Sequence, residues 1–541
     1  VLQKIVFDRI ITNYTVKLNT YVIIVFNNYF LASGGFFSMF RVLNKMNTMR
    51  KLAFLLSVLI ILTFPFGNRL QVRANTEIDI SKPVKLKWIV IGNGDQKDID
   101  IVHELINDYL KDKINATLEL KTYMWGDDFE EHLSVFMSAG VPFDINFTSY
   151  WTVNYRENAL KSYYKDITDL LDTYAPETKK LLGNNILRGA EVNGRIYALP
   201  VYNSSIIEDY GILLNEELVK KYNVDISKIK QLKDLEPILK TIKSRDKKVI
   251  GFYPYDEYGQ NNVVNILNYD RLIDYNPGAV LRDGKSTEVV NEYETSEAKD
   301  LFSLLNKWYK AGYIPKISAP DIYFFDKSIG NTFAMYSSLS VFTSDSVRIS
   351  TGYDFIPIRL GKAALTTSSV TSAMHAISAN SKYPERALML LDLVNTDEYL
   401  SNLINFGIEG YHYEKIGDNQ INILDDGLEY YNPATSWLFG NQLITYLPSG
   451  INSNVWEGYE EYVNNAVPSP LLGFEVNINP IKIQLAKIYE IERKYLNGLV
   501  IGKDDPTSTL SKMNSEMNRA GLKTVIAEMQ KQVDKFIKQK K

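Results

Sequence analysis

Aromatic side chains stand beside hydrogen-bonding neighbours at six places where the sequence pattern ends one element and begins another. They are Tyr150-Trp151, Tyr202-Asn203, Tyr253-Pro254-Tyr255-Asp256, Tyr336-Ser337-Ser338, Trp437 and Asn454-Val455-Trp456. The chemistry that such groups suit is capture without bond breaking. A sugar ring offers apolar C–H faces for flat rings to cover, and equatorial hydroxyls that Asp, Asn, Ser or Tyr can bond in the ring plane. Trp88 lies inside a strand pattern and Trp308 on an apolar helix face, so both are assigned to the core. Trp151, Trp437 and Trp456 stand among polar residues at element ends and are assigned to ligand contact.

Patterns for covalent or metal chemistry are scarce. The chain has no Gly-x-Ser-x-Gly, no His-Glu-x-x-His and no Gly-x-Gly-x-x-Gly. The four histidines, His103, His132, His375 and His412, are scattered without metal-ligand spacing and are expected at the surface or in the core. Cysteine is absent, which removes disulfides, thiolate metal sites and catalytic thiols together. No metal and no cofactor are expected. Residues 278–286 (GAVLRDGKS) resemble a phosphate loop with one residue too many between the glycines; the Asp-Gly pair reads better as a hairpin turn. Asn93, Asp95, Asp98 and Asp100 lack the glycine and the closing glutamate of a calcium loop, and are read as capping a helix. A carboxylate pair, Asp144 with Glu191 or Glu409 with Glu457, leaves a secreted glycan-degrading enzyme as the alternative to a receptor. A peptide or lipid receptor would call for a larger, less Tyr-rich cleft.

The elements that must position these residues alternate. Val84 to Ile91 reads as a strand, Ile99 to Lys113 as a helix, Ala116 to Tyr123 as a strand, Asp127 to Ala139 as a helix and Phe143 to Phe147 as a buried strand. That order predicts an α/β fold with a sheet covered by helices, its ligand at the carboxyl ends of the strands. Glu191 to Asn215 reads as an Asn-Gly hairpin, a Pro-stiffened segment and a strand leading into a second alternating unit. That unit includes a helix over Asn261 to Ile273 and a hairpin joining Ala279–Leu281 to Glu288–Asn291. Ser369 to Ser378 reads as a return strand, and helices dominate from Pro384 onward. Two lobes are expected, hinged at 204–210 and 366–369: 83–205 opens the first, 206–368 the second, and 369–440 returns to the first. Residues 441–541 form a helical region packed mainly on the second lobe.

Residues 49–74 combine a basic start, a short apolar run and small residues before a cleavage point after Ala74, the logic of a secretory signal peptide. The expected signal region is 39–74. Residues 1–38 have no such logic, and Gly34-Gly35 before Met39 is consistent with codons that bind a ribosome, so these residues are expected to be untranslated upstream sequence. Setting aside the nine basic residues and one acidic residue of 1–74 takes the formal net charge from −4 to about −12. An acidic body repels nucleic acid and anionic lipid, so a neutral ligand is expected.

FDINFTSYW, VNGRIYALPVYN, SAMHAISA and PERALMLLDLVNTDEYLSNLINFGIEGYHY, in that order, resemble the family 1 extracellular solute-binding proteins of bacterial ABC importers. YNPATSWLFGNQ, SPLLGF and AGLKTVIAEMQKQVDKF are similar to its lipoprotein LipO-like subset. The resemblance spans 82–538 and implies a two-lobed type II periplasmic-binding-protein fold, with crossing strands at the hinge, that passes carbohydrate to the transmembrane subunits of a permease. It implies ligand contact at the positions matching the family's cleft loops, Asn93, Asp95, Tyr150, Trp151, Tyr202, Tyr255, Tyr336 and Trp456. Asn203 joins them as the hydrogen-bonding neighbour of Tyr202, and Trp437 from the subset's own tail. It also implies a monomer that is secreted or held at the cell surface. Relatives are usually anchored through a lipobox cysteine; without cysteine, no lipid anchor is expected.

Overall fold

The computed structural model describes residues 79–256, 261–273, 276–317 and 328–540. The expected leader at 39–74 and the upstream stretch 1–38 lie outside the described residues. Strand β1 (Val84–Gly92) buries Trp88 to Ile91 without alternation, the pattern of a strand covered on both faces. Helix α1 (Ile99–Ile114) buries Val102, Ile106, Leu110 and Ile114, a single stripe at four-residue spacing. Asn115 closes it at φ 46°, a left-handed cap that asparagine tolerates. Strand β2 (Ala116–Met124), helix α2 (Asp127–Ala139), strand β3 (Ile145–Thr148) and strand β4 (Ala198–Pro200) follow.

The chain then leaves for a second body. This holds β5 (Tyr210–Asn215), β6 (Ile250–Tyr253), the short β7 (Tyr269–Arg271) and β8 (Ala279–Leu281), helix α3 (Ser296–Lys310), β9 (Thr332–Ser338) and β10 (Phe355–Arg359). It returns as β11 (Met374–Ile377), with α4 (Pro384–Thr396) and α5 (Glu398–Phe406), and finishes in α6 (Lys482–Val500), α7 (Pro506–Ala520) and α8 (Leu522–Lys540). The first sheet has the order β2-β1-β3-β11-β4, with β1 parallel to β2 and β3, and β11 antiparallel to both β3 and β4. The second has the order β10-β5-β9-β6, with β5 antiparallel to both its neighbours and β9 parallel to β6. Each sheet sits in its own hydrophobic core, one around Trp88 and one around Trp308, both fully buried.

Three segments carry the chain between the cores, where the sequence reading expects two. The first is 201–209 and the second 360–370, bridged through Glu208 and Ala364. The third is 467–470, whose Val467-Pro468 pairs in parallel with Ala364-Leu365. Residues 459–466, grouped by the sequence reading with the C-terminal helices, supply Tyr459 and Ala466 to the first core; α6, α7 and α8 pack on the second.

Hydrogen bonding explains three other departures. The helix expected over Asn261 to Ile273 is a short 3-10 turn, Val263–Leu267, followed by β7. Asn262 caps the turn through its side chain, and Asn268 at φ 60° reverses the chain before a second turn can form. β8 pairs with β7 and is bridged from Ala279 to Val290, so it is a middle strand rather than one arm of an isolated hairpin. The return strand expected from Ser369 is extended only from Met374. Thr366 and Ser369 form a reciprocal capping box that holds Thr367–Val370 in a helical turn.

A solute-binding cleft edge

The parallel run of β1, β2 and β3, with β4 two strands beyond β3 in the same direction, brings four strand ends to one edge of the first sheet. Asn93, Trp125, Tyr150-Trp151 and Tyr202-Asn203 all lie there. Trp125, Tyr150 and Trp151 are 40%, 39% and 42% exposed, unusual for rings of that size.

The loop after β3 is rigidly built. The Ser149 hydroxyl accepts from the amides of Trp151 and Thr152 at 3.2 and 2.9 Å, and the Tyr150 amide donates to Thr371 O at 2.9 Å. Trp151 Nε1 donates to Ser372 O at 2.8 Å, and its ring lies 5.9 Å from that of Phe147. Val153 is held at φ 43°, a conformation that β-branched residues avoid. The Trp151 ring is thus tied at its polar edge to the segment before β11 while much of its surface remains open.

A second group forms around Trp437. Asn93 Nδ2 donates to Asn432 O at 2.8 Å and the Asn93 amide to Pro433 O at 2.9 Å, pinning the 430–437 loop to the end of β1. Gly92 permits this approach, because a β-carbon there would collide with the Pro433 oxygen. Trp125 Nε1 donates to Asn93 Oδ1 at 3.2 Å and its ring lies 6.1 Å from that of Trp437. Asn203 Nδ2 donates to Trp437 O at 2.8 Å. Beneath them, Trp88 Nε1 donates to His375 Nδ1 at 3.1 Å and His375 Nε2 donates to Leu438 O at 2.7 Å, which defines the neutral tautomer. Burial drops the His375 pKa to about 4.

The remaining expected contacts take other places. Tyr202 and Asn203 are 4% and 1% exposed: Tyr202 packs 6.1 Å from Tyr459, whose hydroxyl donates to Asn203 O at 2.6 Å. Burial pushes the Tyr202 phenol up to about 12. Trp456 is half-buried, edge-on to Phe342 at 4.9 Å and Tyr459 at 5.0 Å. Asp95 is exposed and ion-paired with Lys121. Asp98 precedes α1 but makes no capping bond; its carboxylate instead faces buried His412 Nε2 at 3.2 Å. Tyr255 and Tyr336 are 4% and 0% exposed, with their rings inside the second core. An aromatic residue near a strand end looks the same in sequence whether it faces a cleft or the next layer of helices.

Between the lobes, Tyr150 closes one side of a cavity of about 200 Å³ whose other walls include Tyr210, Asn265, Asp270, Arg271, Arg282 and Ser368. None of these beyond Tyr150 is singled out as a ligand contact by the sequence, and Arg282 sits within the rejected phosphate-loop resemblance. Glu208, on the first crossing, accepts from the Arg282 guanidinium, from Thr366 Oγ1 at 2.7 Å and from Ser368 Oγ at 2.8 Å on the second crossing. Burial opposes its charge, yet Arg282 and these hydroxyls hold its pKa below the usual value. Asp270 accepts from Ser469 Oγ, on the third crossing, at 2.7 Å. Burial raises its pKa to about 6 despite the pull of Arg282. One guanidinium thus sits among groups from all three crossings.

Two α/β lobes, a return strand inserted between β3 and β4, and an aromatic edge beside an inter-lobe cavity define the type II periplasmic-binding-protein fold. A family described as a domain of unknown function (DUF3502) matches residues 470–538. A carbohydrate ABC transporter substrate-binding protein of Streptococcus pneumoniae serotype 4 (strain ATCC BAA-334 / TIGR4) is 31% identical over 468 residues, 83% of this chain and 90% of the relative. The N-glycan transport solute-binding protein NgtS of Streptococcus pneumoniae superposes with a TM-score of 0.72 at 28% identity, over 85% of this chain and 100% of that one. A structure of NgtS in complex with Man5GlcNAc superposes over the same shares at 0.58 and 29% identity. The chain belongs to the family of carbohydrate ABC transporter substrate-binding proteins. Its class is that of transport receptors and not of enzymes. Asp144, from the alternative carboxylate pairs, has both oxygens occupied by the Lys87 amide at 2.9 Å and the Ser381 hydroxyl at 2.5 Å.

Proposed function

We propose that this protein captures an oligosaccharide between its lobes, outside the cell, and delivers it as a monomer to the transmembrane subunits of an ABC importer. The observation that carries the reading is the braced Tyr150-Trp151 pair. Two large rings stand open at the strand-end edge, and one of them also walls the cavity against the second lobe. Trp151 and Trp125 serve as stacking faces, with Asn93 and Trp437 beside them. Tyr202, Asn203 and Trp456 support that surface from below, and Tyr255 and Tyr336 hold the second lobe's wall in place. Asp95 lies on the rim.

Ligand favours the closed state because only closure lets both lobes touch it. The lower score against the glycan complex than against the other NgtS structure supports a hinge of this kind, since identity is almost unchanged while the arrangement differs. Among the described residues no helix is long and apolar enough to cross a membrane.

The test is calorimetry against a panel of neutral oligosaccharides, with Trp151→Ala and Trp125→Ala beside the parent. Losing a stacking face of roughly 60 Å² at ~25 cal/mol per Å² weakens binding about tenfold. Unchanged affinity in both variants would refute the site. New reducing ends after incubation would refute the non-enzymatic reading.

A further inference from the structure

The inter-lobe cavity beneath Tyr150 carries a prediction about which sugars the receptor accepts, and it rests on the reading above. Its volume is about 200 Å³, many times the roughly 10–15 Å³ that a single water needs. That leaves room for a sugar ring.

Its walls are charged, and each guanidinium already faces a carboxylate, although Arg282 Nε has no hydrogen-bond partner among the described residues. Arg282 is 8% exposed and bonded to Glu208. Arg271 Nε lies 2.9 Å from Glu292 Oε1, and Arg271 Nη2 donates to the Tyr293 hydroxyl at 2.7 Å. Asp270, 8% exposed, accepts from Ser469. Three carboxylates, those of Glu208, Asp270 and Glu292, therefore share the cavity with two guanidiniums. A ligand carboxylate brought there would lose its water and meet no cation that lacks a partner carboxylate. Hydroxyls meet the opposite situation. A carboxylate has about four lone-pair positions, and among the described residues Asp270 accepts one side-chain hydrogen bond, from Ser469. Asn265 uses one of its amide valences on the Tyr336 hydroxyl at 3.1 Å and keeps others.

We propose that this cavity is a subsite for an uncharged sugar ring of the oligosaccharide, and that it rejects a ring bearing a carboxylate. Asp270 and Asn265 are its hydrogen-bonding residues. Because Glu208, Ser368 and Ser469 belong to the three crossings, a ring seated there is joined through Arg282 and Asp270 to the hinge itself.

The experiment takes a neutral oligosaccharide found to bind in the panel above and prepares a set of derivatives, each with a carboxylate on a different ring. Calorimetry at pH 7.5 compares them with the neutral sugar on the parent, on Asp270→Asn and on Asn265→Ala. One derivative is expected to bind the parent at least tenfold more weakly than the neutral sugar. Asp270→Asn, nearly isosteric, is expected to shrink that ratio at least threefold, an effect that loss of structure alone would not produce. Asn265→Ala is expected to weaken the neutral sugar at least fivefold. If all the derivatives bind as tightly as the neutral sugar, or if the ratio is the same in Asp270→Asn, the subsite is overturned while the receptor stands. If no neutral sugar binds, the receptor reading fails and the subsite falls with it.

Discussion

Replacing Asp270 by Asn tests the cavity wall without any ligand. In the folded protein burial lifts this carboxyl from 3.8 to about 6, so the native state binds its proton more tightly than the unfolded chain does. The sign follows from linkage. A raised folded pKa contributes stability that is present below the unfolded value and is lost as pH rises through about 6. The shift of about two units at 1.36 kcal/mol each amounts to about 3 kcal/mol, and about 2 kcal/mol of it is lost between pH 4.5 and 7.5. Asparagine carries no such charge. The variant's stability relative to the parent is therefore expected to rise by about 2 kcal/mol across that window. Urea denaturation at pH 4.5, 6.0 and 7.5 measures the difference. Parallel stability curves would show that Asp270 is solvated or fully neutralised by Arg282, and the account of the cavity as a place hostile to added negative charge would fail with it.

Other perturbations read the aromatic edge. Gly92→Ala drives a methyl group into the Pro433 oxygen; a cost of about 3 kcal/mol and weaker sugar binding are expected together, and an unchanged melting temperature would contradict the close approach. His375→Ala leaves the Trp88 indole N–H and the Leu438 carbonyl without partners, which costs about 3 kcal/mol by denaturant titration. His375 has a depressed pKa of about 4, so its stability contribution is present above pH 6.5 and declines as pH falls toward 4. Its imidazole carbon shifts should stay constant from pH 7.5 to 5.5, and a midpoint near 6.5 would place it in water.

The hinge and the cavity share their side chains. Glu208 bonds both the second crossing and the cavity's guanidinium, while Asp270 bonds the third. In such an arrangement a ligand need not push the lobes together. It adds hydrogen bonds to groups whose spacing depends on the angle between the lobes, and the angle with the most bonds becomes the populated one.

The amino-acid sequence by itself determined the alternation that builds the first sheet, the placement of Trp88 and Trp308 in the two cores and the strand-end position of Tyr150-Trp151. These depend on periodicity and on caps a few residues away, such as Asn115 after α1, so neighbours along the chain suffice to specify them. Tertiary structure alone decided which aromatic residues stay open. Trp151 is held by Ser372, more than two hundred positions away, and the loop carrying Trp437 is pinned by Asn93, more than three hundred away. It also decided the third crossing, where two residues pair and no periodicity can announce them. The cavity is the clearest case: Glu208, Asp270, Arg282 and Ser469 are ordinary polar residues in sequence. Their charges interact strongly only once the lobes around them have removed the water.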